Sequence, residues 1–223
     1  HIVQFYILPR MDKKDIAENI KEMLVSETSM EYLAELPEKH LTQLFADLQT
    51  YMKRLDDNQR PVFKAIAVST SFIPNFIIAK LAHDYFTPYI VAQVCEYMDP
   101  KAAAKIGKSL RHDYMGDVAV NGDPKVTARI GDFMEVDLIV SVVREMVKRQ
   151  FFMKLGEIAD VLNENHLKNV MLKMNDDNAI LQVGIHMKDE DKIIRLSKAW
   201  SQTTRSYVTG ELKKMNHPLA AKI

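Results

Sequence analysis

Cysteine, glycine and net charge are what this chain most clearly lacks. Its single cysteine, Cys95, excludes an internal disulfide framework and favours a reducing compartment, so we expect a cytoplasmic protein. Seven glycines in 223 residues supply few of the tight turns that a β-rich fold needs. Thirty basic residues balance thirty acidic residues, and this neutrality predicts that nucleic acid is not a partner.

Long apolar runs are also missing. The most apolar stretch, residues 72–98, is interrupted by Lys80, His83 and Asp84, and no run reaches the roughly 20 residues that cross a bilayer as a helix. We therefore expect no transmembrane segment. The chain begins with His1 rather than Met, which leaves open whether a targeting segment has been removed.

The short motifs that mark common enzymes are absent too. There is no G-x-S-x-G, no dinucleotide-binding glycine fingerprint, no HExxH and no CxxC. The string "IGKSL" from Ile106 contains Gly-Lys-Ser but lacks the earlier glycine of a phosphate-binding loop. We therefore expect a protein without enzymatic activity and without a bound cofactor, except for a divalent cation considered below.

Helical periodicity is what the sequence does contain. Apolar residues recur at intervals of three and four positions, which is the spacing of amphipathic helices and predicts an all-α fold. A capping oxygen precedes a proline in Thr-Pro at 87–88 and in Asp-Pro at 99–100 and 123–124. Because proline suits the first helical position, these pairs predict helix starts near residues 88, 100 and 124.

A polar segment suggests a division of the chain. The string "LDDNQRP", from Leu55 to Pro61, is the predicted linker between an N-terminal helical segment, residues 1–60, and a helical repeat domain, residues 61–223. The opening string "HIVQFYILPR" is too short and too isolated to form a sheet, so we expect an extended or helical arm there.

An internal repeat is the strongest pattern in the chain. The strings "IVAQVCEYMDPKAAAKIGKSL" from Ile90, "VTARIGDFMEVDLIVSVVREM" from Val126 and "KLGEIADVLNENHLKNVMLKM" from Lys154 keep their apolar residues in step, and "ILQVGIHMKDEDKIIRLSKAW" from Ile180 continues the series. Each string is predicted to form two helices joined by a tight turn. A superhelical stack of helix pairs buries such apolar faces against their neighbours, and a closed helical bundle is the alternative.

Three strings of this repeat carry a resemblance. "LPEKHLTQLFADL", "MDPKAAAKIGKSL" and "LNENHLKNVMLKM" resemble the repeating unit of the cytoplasmic N-terminal domain of the magnesium transporter MgtE and, more loosely, that of the flagellar motor switch protein FliG. The resemblance implies a helical scaffold that presents a surface to a partner or changes its packing with a ligand. Transport and motor roles are not implied, since no regulatory domain, membrane region or torque helix of those families is recognisable.

The string His-Asp-Tyr occurs twice, at 83–85 and at 112–114. The alignment of the repeats places both copies at the close of a helix pair, where histidine suits the negative end of the helix dipole and tyrosine anchors the next helix. The alternative is a shared metal or acid–base site. In that case His83, Asp84, His112 and Asp113 are the candidate ligands of a divalent cation.

A second candidate site is apolar. Thirteen methionines and the string "SFIPNFIIAKLAHDYF" from Ser71 suit either ordinary core packing or a groove for a peptide helix or a lipid-like ligand. The candidate groove residues are aromatic side chains and one methionine: Phe72, Phe76, Tyr85, Phe86, Tyr114 and Met115.

A non-enzymatic scaffold is the function that these patterns favour first. We expect an α-helical repeat protein that binds a protein partner, whose identity the sequence leaves open together with the oligomeric state. Two alternatives stay open: a regulatory module that responds to a ligand or divalent cation, and a protein that binds a lipid or peptide in an apolar groove.

Overall fold

The computed structural model describes residues 12–24, 26 and 28–223, without the side chains of residue 22 and residues 55–58. All regular secondary structure in these residues is helical, which confirms the all-α prediction. The opening string "HIVQFYILPR" lies outside the described residues. The α-helices of the described part are α1 (Lys13–Met23), α2 (Glu38–Ser69), α3 (Asn75–Tyr85), α4 (Pro88–Cys95), α5 (Pro100–Gly107), α6 (His112–Asn121), α7 (Pro124–Gly131), α8 (Val136–Lys148), α9 (Phe152–Val161), α10 (Glu164–Met174), α11 (Asp177–His186), α12 (Glu190–Ser197) and α13 (Gln202–Lys214).

The predicted helix starts are confirmed. Helices α4, α5 and α7 begin at Pro88, Pro100 and Pro124. The Asp99 carboxylate accepts a hydrogen bond from the Ala102 backbone N–H at 2.9 Å, and Asp123 accepts one from the Lys125 N–H at 2.8 Å. These caps satisfy backbone donors that have no partner within the helix.

The predicted linker is helical and does not interrupt the chain's regular structure, although the division between the two compact units described below falls within it. The segment from Leu55 to Pro61 lies inside α2, which runs without a break from Glu38 to Ser69. A proline inside a helix removes one backbone hydrogen bond, and this loss is the reason that the sequence predicts a helix boundary at Pro61. The surrounding residues continue the helix in spite of it.

The chain forms two compact units, His1–Gln59 and Arg60–Ile223, called unit 1 and unit 2 below. In unit 1, the buried side chains Ile16 and Ile20 of α1 form a small core with Leu41 and Phe45 of α2. The 3-10 helix Glu31–Glu35 packs against α1. Unit 1 therefore has an apolar cluster of its own.

Helices of unit 2 contact one another in a regular order that skips one helix. Helix α3 packs on α5, α5 on α7, α7 on α9, α9 on α11 and α11 on α13, while α4 packs on α6, α6 on α8, α8 on α10 and α10 on α12. Each helix thus contacts the second helix after it, and the odd-numbered and even-numbered helices form two rows. This is the contact order expected of successive helix pairs.

One of the aligned repeats is out of phase with the others. The string from Ile90 pairs α4 with α5, whereas the strings from Val126, Lys154 and Ile180 pair an odd-numbered helix with the even-numbered helix after it. Helix α5 ("PKAAAKIG") belongs to the same row as α7 ("PKVTARIG"), with which it shares five residues. Both rows carry similar apolar spacing, so sequence alignment alone did not reveal the offset.

Candidate functional site

Unit 2 contains an apolar cavity of about 530 Å³. Residues from Val62 in α2 to Trp200 after α12 line it, and they come from nearly every helix between these two points. The cavity therefore lies along the inner faces of the helices, in the space that they enclose as they pack on one another.

Helical spacing places the lining residues. In α5 these are Ala103, Ile106 and Gly107, of which the last two lie three and four positions after the first, and in α9 they include Leu155 and Ala159, four positions apart. Such positions fall on one face of a helix. Alanine and glycine at several of them keep side-chain volume out of the interior, and this is the local reason that space is left there.

The lining is almost free of polar groups. Among the described residues that line the cavity there is no charged side chain, and the few hydroxyl groups belong to Ser69, Thr70 and Thr127. The Ser69 hydroxyl donates to the Ala65 carbonyl oxygen at 2.9 Å, and the Thr70 hydroxyl donates to the Ala67 carbonyl oxygen at 2.7 Å. Carbonyl oxygens of α2 thus satisfy the hydroxyls of Ser69 and Thr70, and the cavity offers chiefly apolar contact.

The lining residues differ in their exposure to solvent. Four lining residues are exposed to solvent, and all four lie in α2 or α3: Val62, Ala65, Ser69 and Leu81, which we call the mouth. By contrast, Trp200 is only 9% exposed and lies in a cluster of buried side chains with Ile193 and Leu196.

Two residues that occur once in the chain lie in the lining. Trp200 is the only tryptophan, and its buried Nε1 atom has no hydrogen-bond partner among the described residues. Cys95 is the only cysteine, and burial raises the pKa of its thiol to about 12, with a further contribution from Glu96. The thiol is therefore neutral near neutral pH, and it behaves as part of an apolar wall.

The two His-Asp-Tyr strings occupy different positions, and the prediction that both close a helix is wrong. His83, Asp84 and Tyr85 end α3, whereas His112 begins α6. The two strings belong to different rows of helices, since α3 lies in the odd-numbered row and α6 in the even-numbered row. The second string follows the N-cap residue Arg111, at the positive end of the helix dipole.

Tyr114 nevertheless joins the two strings. Its hydroxyl donates to the carbonyl oxygens of Ala82 and Phe86, at 2.7 and 2.9 Å, and its ring lies 5.5 Å from the His83 ring between centroids. Burial raises the pKa of Tyr114 to about 12, so the hydroxyl keeps its proton and acts as a donor. The contact anchors α6 to the end of α3.

The candidate metal ligands do not form a ligand cluster. Among the described residues there is no group of three or more His, Cys, Asp or Glu side chains arranged to hold a metal ion. His83 Nδ1 lies 3.3 Å from Asp84 Oδ1, and Asp113 pairs with Arg111. The hydrogen bond from Arg111 lowers the pKa of the Asp113 carboxyl group, so this carboxylate already has a cationic partner.

The candidate groove residues divide into two groups. Phe86 and Met115 line the cavity. Phe72, Phe76 and Tyr85 are exposed at the surface, and Tyr114 makes the anchoring contact described above. The sequence interpretation missed most of the lining, including Met134, Met171 and Trp200. The signal that could have found it was the recurrence of methionine, alanine and glycine on one face of successive helices.

Comparison with known proteins gives no match. No protein-family model, curated protein or solved structure matches it, and nothing found links it to the magnesium transporter or the flagellar protein whose repeats it resembles. A search of the described helices for one that is both long and apolar enough to cross a membrane finds none.

Proposed function

We propose that unit 2 binds a ligand with a long apolar chain, such as the acyl chain of a fatty acid, inside its cavity. The observation that carries this proposal is the volume of about 530 Å³ bounded by a lining without charged side chains among the described residues. Small-molecule sites commonly have volumes of roughly 300–1,000 Å³. The lining selects for apolar ligands because a charged group placed there would lose its hydration without gaining a partner.

The energetics of packing support the same proposal. Protein interiors are close-packed, and apolar space in a core costs about 24 cal/mol per Å³. An acyl chain that fills the space would recover much of this free energy as contact.

The position of the mouth suggests how such a ligand is oriented. The apolar chain lies toward Trp200, and a polar head group stays near Ser69, where lining residues are exposed to water. In this orientation the head group keeps its hydration. The chain is the part that the protein recognises.

Trp200 provides the direct test. It is the only tryptophan, so its fluorescence reports on the inner end of the cavity without any label. Delipidated protein is titrated with a fatty acid that carries bromine on its chain, because bromine quenches indole fluorescence on contact. We expect saturable quenching at one ligand per chain. Absence of quenching, with the protein shown to be folded by circular dichroism, overturns the proposal.

Two neighbouring alanines of α5 give a matched pair of variants. Ala103 lines the cavity and Ala102 does not. We expect Ala103→Leu to weaken binding of the brominated fatty acid at least tenfold, since the larger side chain occupies ligand space, and Ala102→Leu to leave binding within about twofold. Should Ala103→Leu fail to fold, Gly184→Leu serves in its place, because an added Cβ at this lining residue meets no atom within 4 Å. Equal affinities for the lining variant and its control overturn the proposal.

Chain length gives an independent test. Burial of one CH₂ group contributes about 0.8 kcal/mol, so each added methylene should tighten binding about fourfold until the chain exceeds the cavity. We expect this slope in calorimetric titrations with saturated fatty acids of increasing length. An affinity that does not depend on chain length contradicts binding in the cavity.

A protein-interaction module is the second candidate. The contact order that skips one helix in unit 2 is typical of helical repeats, which present extended surfaces to other proteins. Two results together would favour this role over ligand binding. Brominated fatty acid would not quench the fluorescence of the delipidated protein, and the protein would form a stoichiometric complex with a protein purified from the same source.

A further inference from the structure

Exposed apolar side chains of unit 2 concentrate beside the mouth of the cavity. Seven of the twelve large apolar side chains exposed in residues 60–223 lie between residues 62 and 85. We call these seven the rim: Val62, Val68, Phe72, Phe76, Ile77, Leu81 and Tyr85. Phe72, Phe76 and Tyr85 are the most prominent, with exposures of 82%, 70% and 77%. An apolar cluster of this kind marks an interaction site.

Helix α3 orients its residues in an unusual way. Its buried side chains are the small residues Ala79 and Ala82, whereas the large side chains of Phe76, Ile77 and Tyr85 point to the surface. In an ordinary surface helix the large apolar residues face the core. The exposed face of α3 therefore has the composition of a binding surface.

The rim and the cavity are continuous. Val62 and Leu81 belong to both, since each lines the cavity and each is exposed, at 59% and 38%. Ile73 and Ile78 line the cavity and directly follow Phe72 and Ile77 of the rim in sequence. An apolar chain that leaves the cavity would meet the rim before it met water.

The segment that carries the rim has an excess of basic residues. Residues 60–95 contain three basic residues, Arg60, Lys64 and Lys80, against one acidic residue, Asp84, in a chain whose net charge is zero. Lys64 and Lys80 are exposed. Lysine next to exposed aromatic rings is typical of surfaces that lie at a membrane interface, where the rings enter the head-group region and the ammonium groups meet anionic lipids.

We propose that the rim docks on an anionic phospholipid surface, with the mouth turned toward the bilayer so that an apolar ligand passes between bilayer and cavity. This inference rests on the proposed function. A protein partner is less well matched, because the buried centre of protein interfaces is depleted of lysine, whereas lysine beside an apolar surface suits lipid head groups.

Flotation with vesicles tests the proposal. The full chain is mixed with vesicles of phosphatidylcholine and phosphatidylserine in equal amounts, and separately with vesicles of phosphatidylcholine alone. We expect the protein to float with the mixed vesicles, and to do so less as salt is added. Failure of the wild-type protein to float with the anionic vesicles overturns the inference.

Rim variants test which residues carry the binding. We expect Phe72→Ser combined with Phe76→Ser to abolish flotation, and Lys64→Glu combined with Lys80→Glu to lower the partition coefficient at least about tenfold, since each lysine contributes about fivefold. Phe133→Ser is the matched control, because Phe133 is also exposed, at 55%, but lies outside the rim. Docking through the rim is contradicted if the rim variants still float with the vesicles. It is also contradicted if Phe133→Ser reduces flotation as much as the rim substitutions do.

The two proposals can fail separately. The rim variants should still bind free brominated fatty acid, with quenching of Trp200, because the cavity itself is unchanged. Wild-type protein that binds the fatty acid but not anionic vesicles overturns membrane docking alone, and capture of a purified protein partner through Phe72 and Phe76 would then explain the rim. Protein that floats with vesicles but shows no quenching overturns the cavity proposal.

Discussion

The ammonium group of Lys192 lies 2.6 Å from the carbonyl oxygen of Leu162, and both residues are buried. The same group donates to the carbonyl oxygens of Ala159 and Asp160, at 2.7 and 3.0 Å. These carbonyls lie at the end of α9, where the last helical acceptors have no partner within the helix. Burial lowers the pKa of Lys192, and the nearby carboxylate of Asp160 opposes this shift.

Substitution of this lysine should therefore weaken the fold. Lys192→Met keeps the length of the side chain but leaves three carbonyl groups without a donor, so we expect a loss of about 1–3 kcal/mol in the free energy of unfolding. Unfolding by urea measures the change. Lys198→Met is the control, because Lys198 is exposed at the end of the same helix, and it should change stability by less than about 0.5 kcal/mol. Equal effects of the two substitutions would contradict a role for the Lys192 contacts.

The two tyrosines of the repeated His-Asp-Tyr string should differ in their contribution to stability. Tyr114→Phe removes the hydroxyl that donates to Ala82 and Phe86, and we expect a loss of about 1 kcal/mol. Tyr85→Phe removes a hydroxyl from a side chain that is 77% exposed, and no measurable loss is expected. Thermal and chemical denaturation of both variants measure the difference. A larger loss of stability for Tyr85→Phe than for Tyr114→Phe would contradict the anchoring role of Tyr114.

Gly156 marks a close approach of α9 to α11. An added Cβ would lie 2.7 Å from the carbonyl carbon of His186 and 2.8 Å from its carbonyl oxygen, which is too close for a backbone contact. We expect Gly156→Ala to destabilise the protein by about 1–3 kcal/mol.

Gly184 in α11 provides the matched control for Gly156. Its added Cβ meets no atom within 4 Å, so Gly184→Ala should stabilise the helix by about 0.5–1 kcal/mol. Chemical denaturation compares the two variants. If Gly156→Ala has the same free energy of unfolding as the wild-type protein, α9 and α11 can move apart at little cost in free energy.

Cys95 should react slowly with alkylating reagents in the folded protein. A pKa of about 12, against the ordinary value of 9.0 for an accessible thiol, lowers the thiolate fraction at about pH 8 roughly a thousandfold. We expect iodoacetamide labelling, followed by mass spectrometry, to be slower than in denatured protein by about that factor and to accelerate as the pH is raised toward 12. Bound fatty acid should slow it further. Folded and denatured proteins that react at similar rates would contradict burial of the thiol.

Local signals in the sequence were sufficient for the class of fold and for several helix starts. Proline after a capping residue placed the beginnings of α4, α5 and α7, because this signal acts within a few residues. Helix α2 continues through Pro61, where the sequence predicts a linker. The loss of one backbone hydrogen bond at this proline did not interrupt the helix on either side. The row to which each helix belongs could not be assigned locally, since both rows carry the same apolar spacing.

The sequence by itself determined that this protein is helical, neutral and apolar at regular intervals, because composition and periodicity act residue by residue. Tertiary structure alone decided which of those apolar faces enclose a cavity and which are left at the surface. The separation of Met115 in the lining from Phe76 on the rim depends on how helices pack across the chain. Both residues are apolar members of helices, and only the neighbours brought to them by folding distinguish a wall of the cavity from the surface around its mouth.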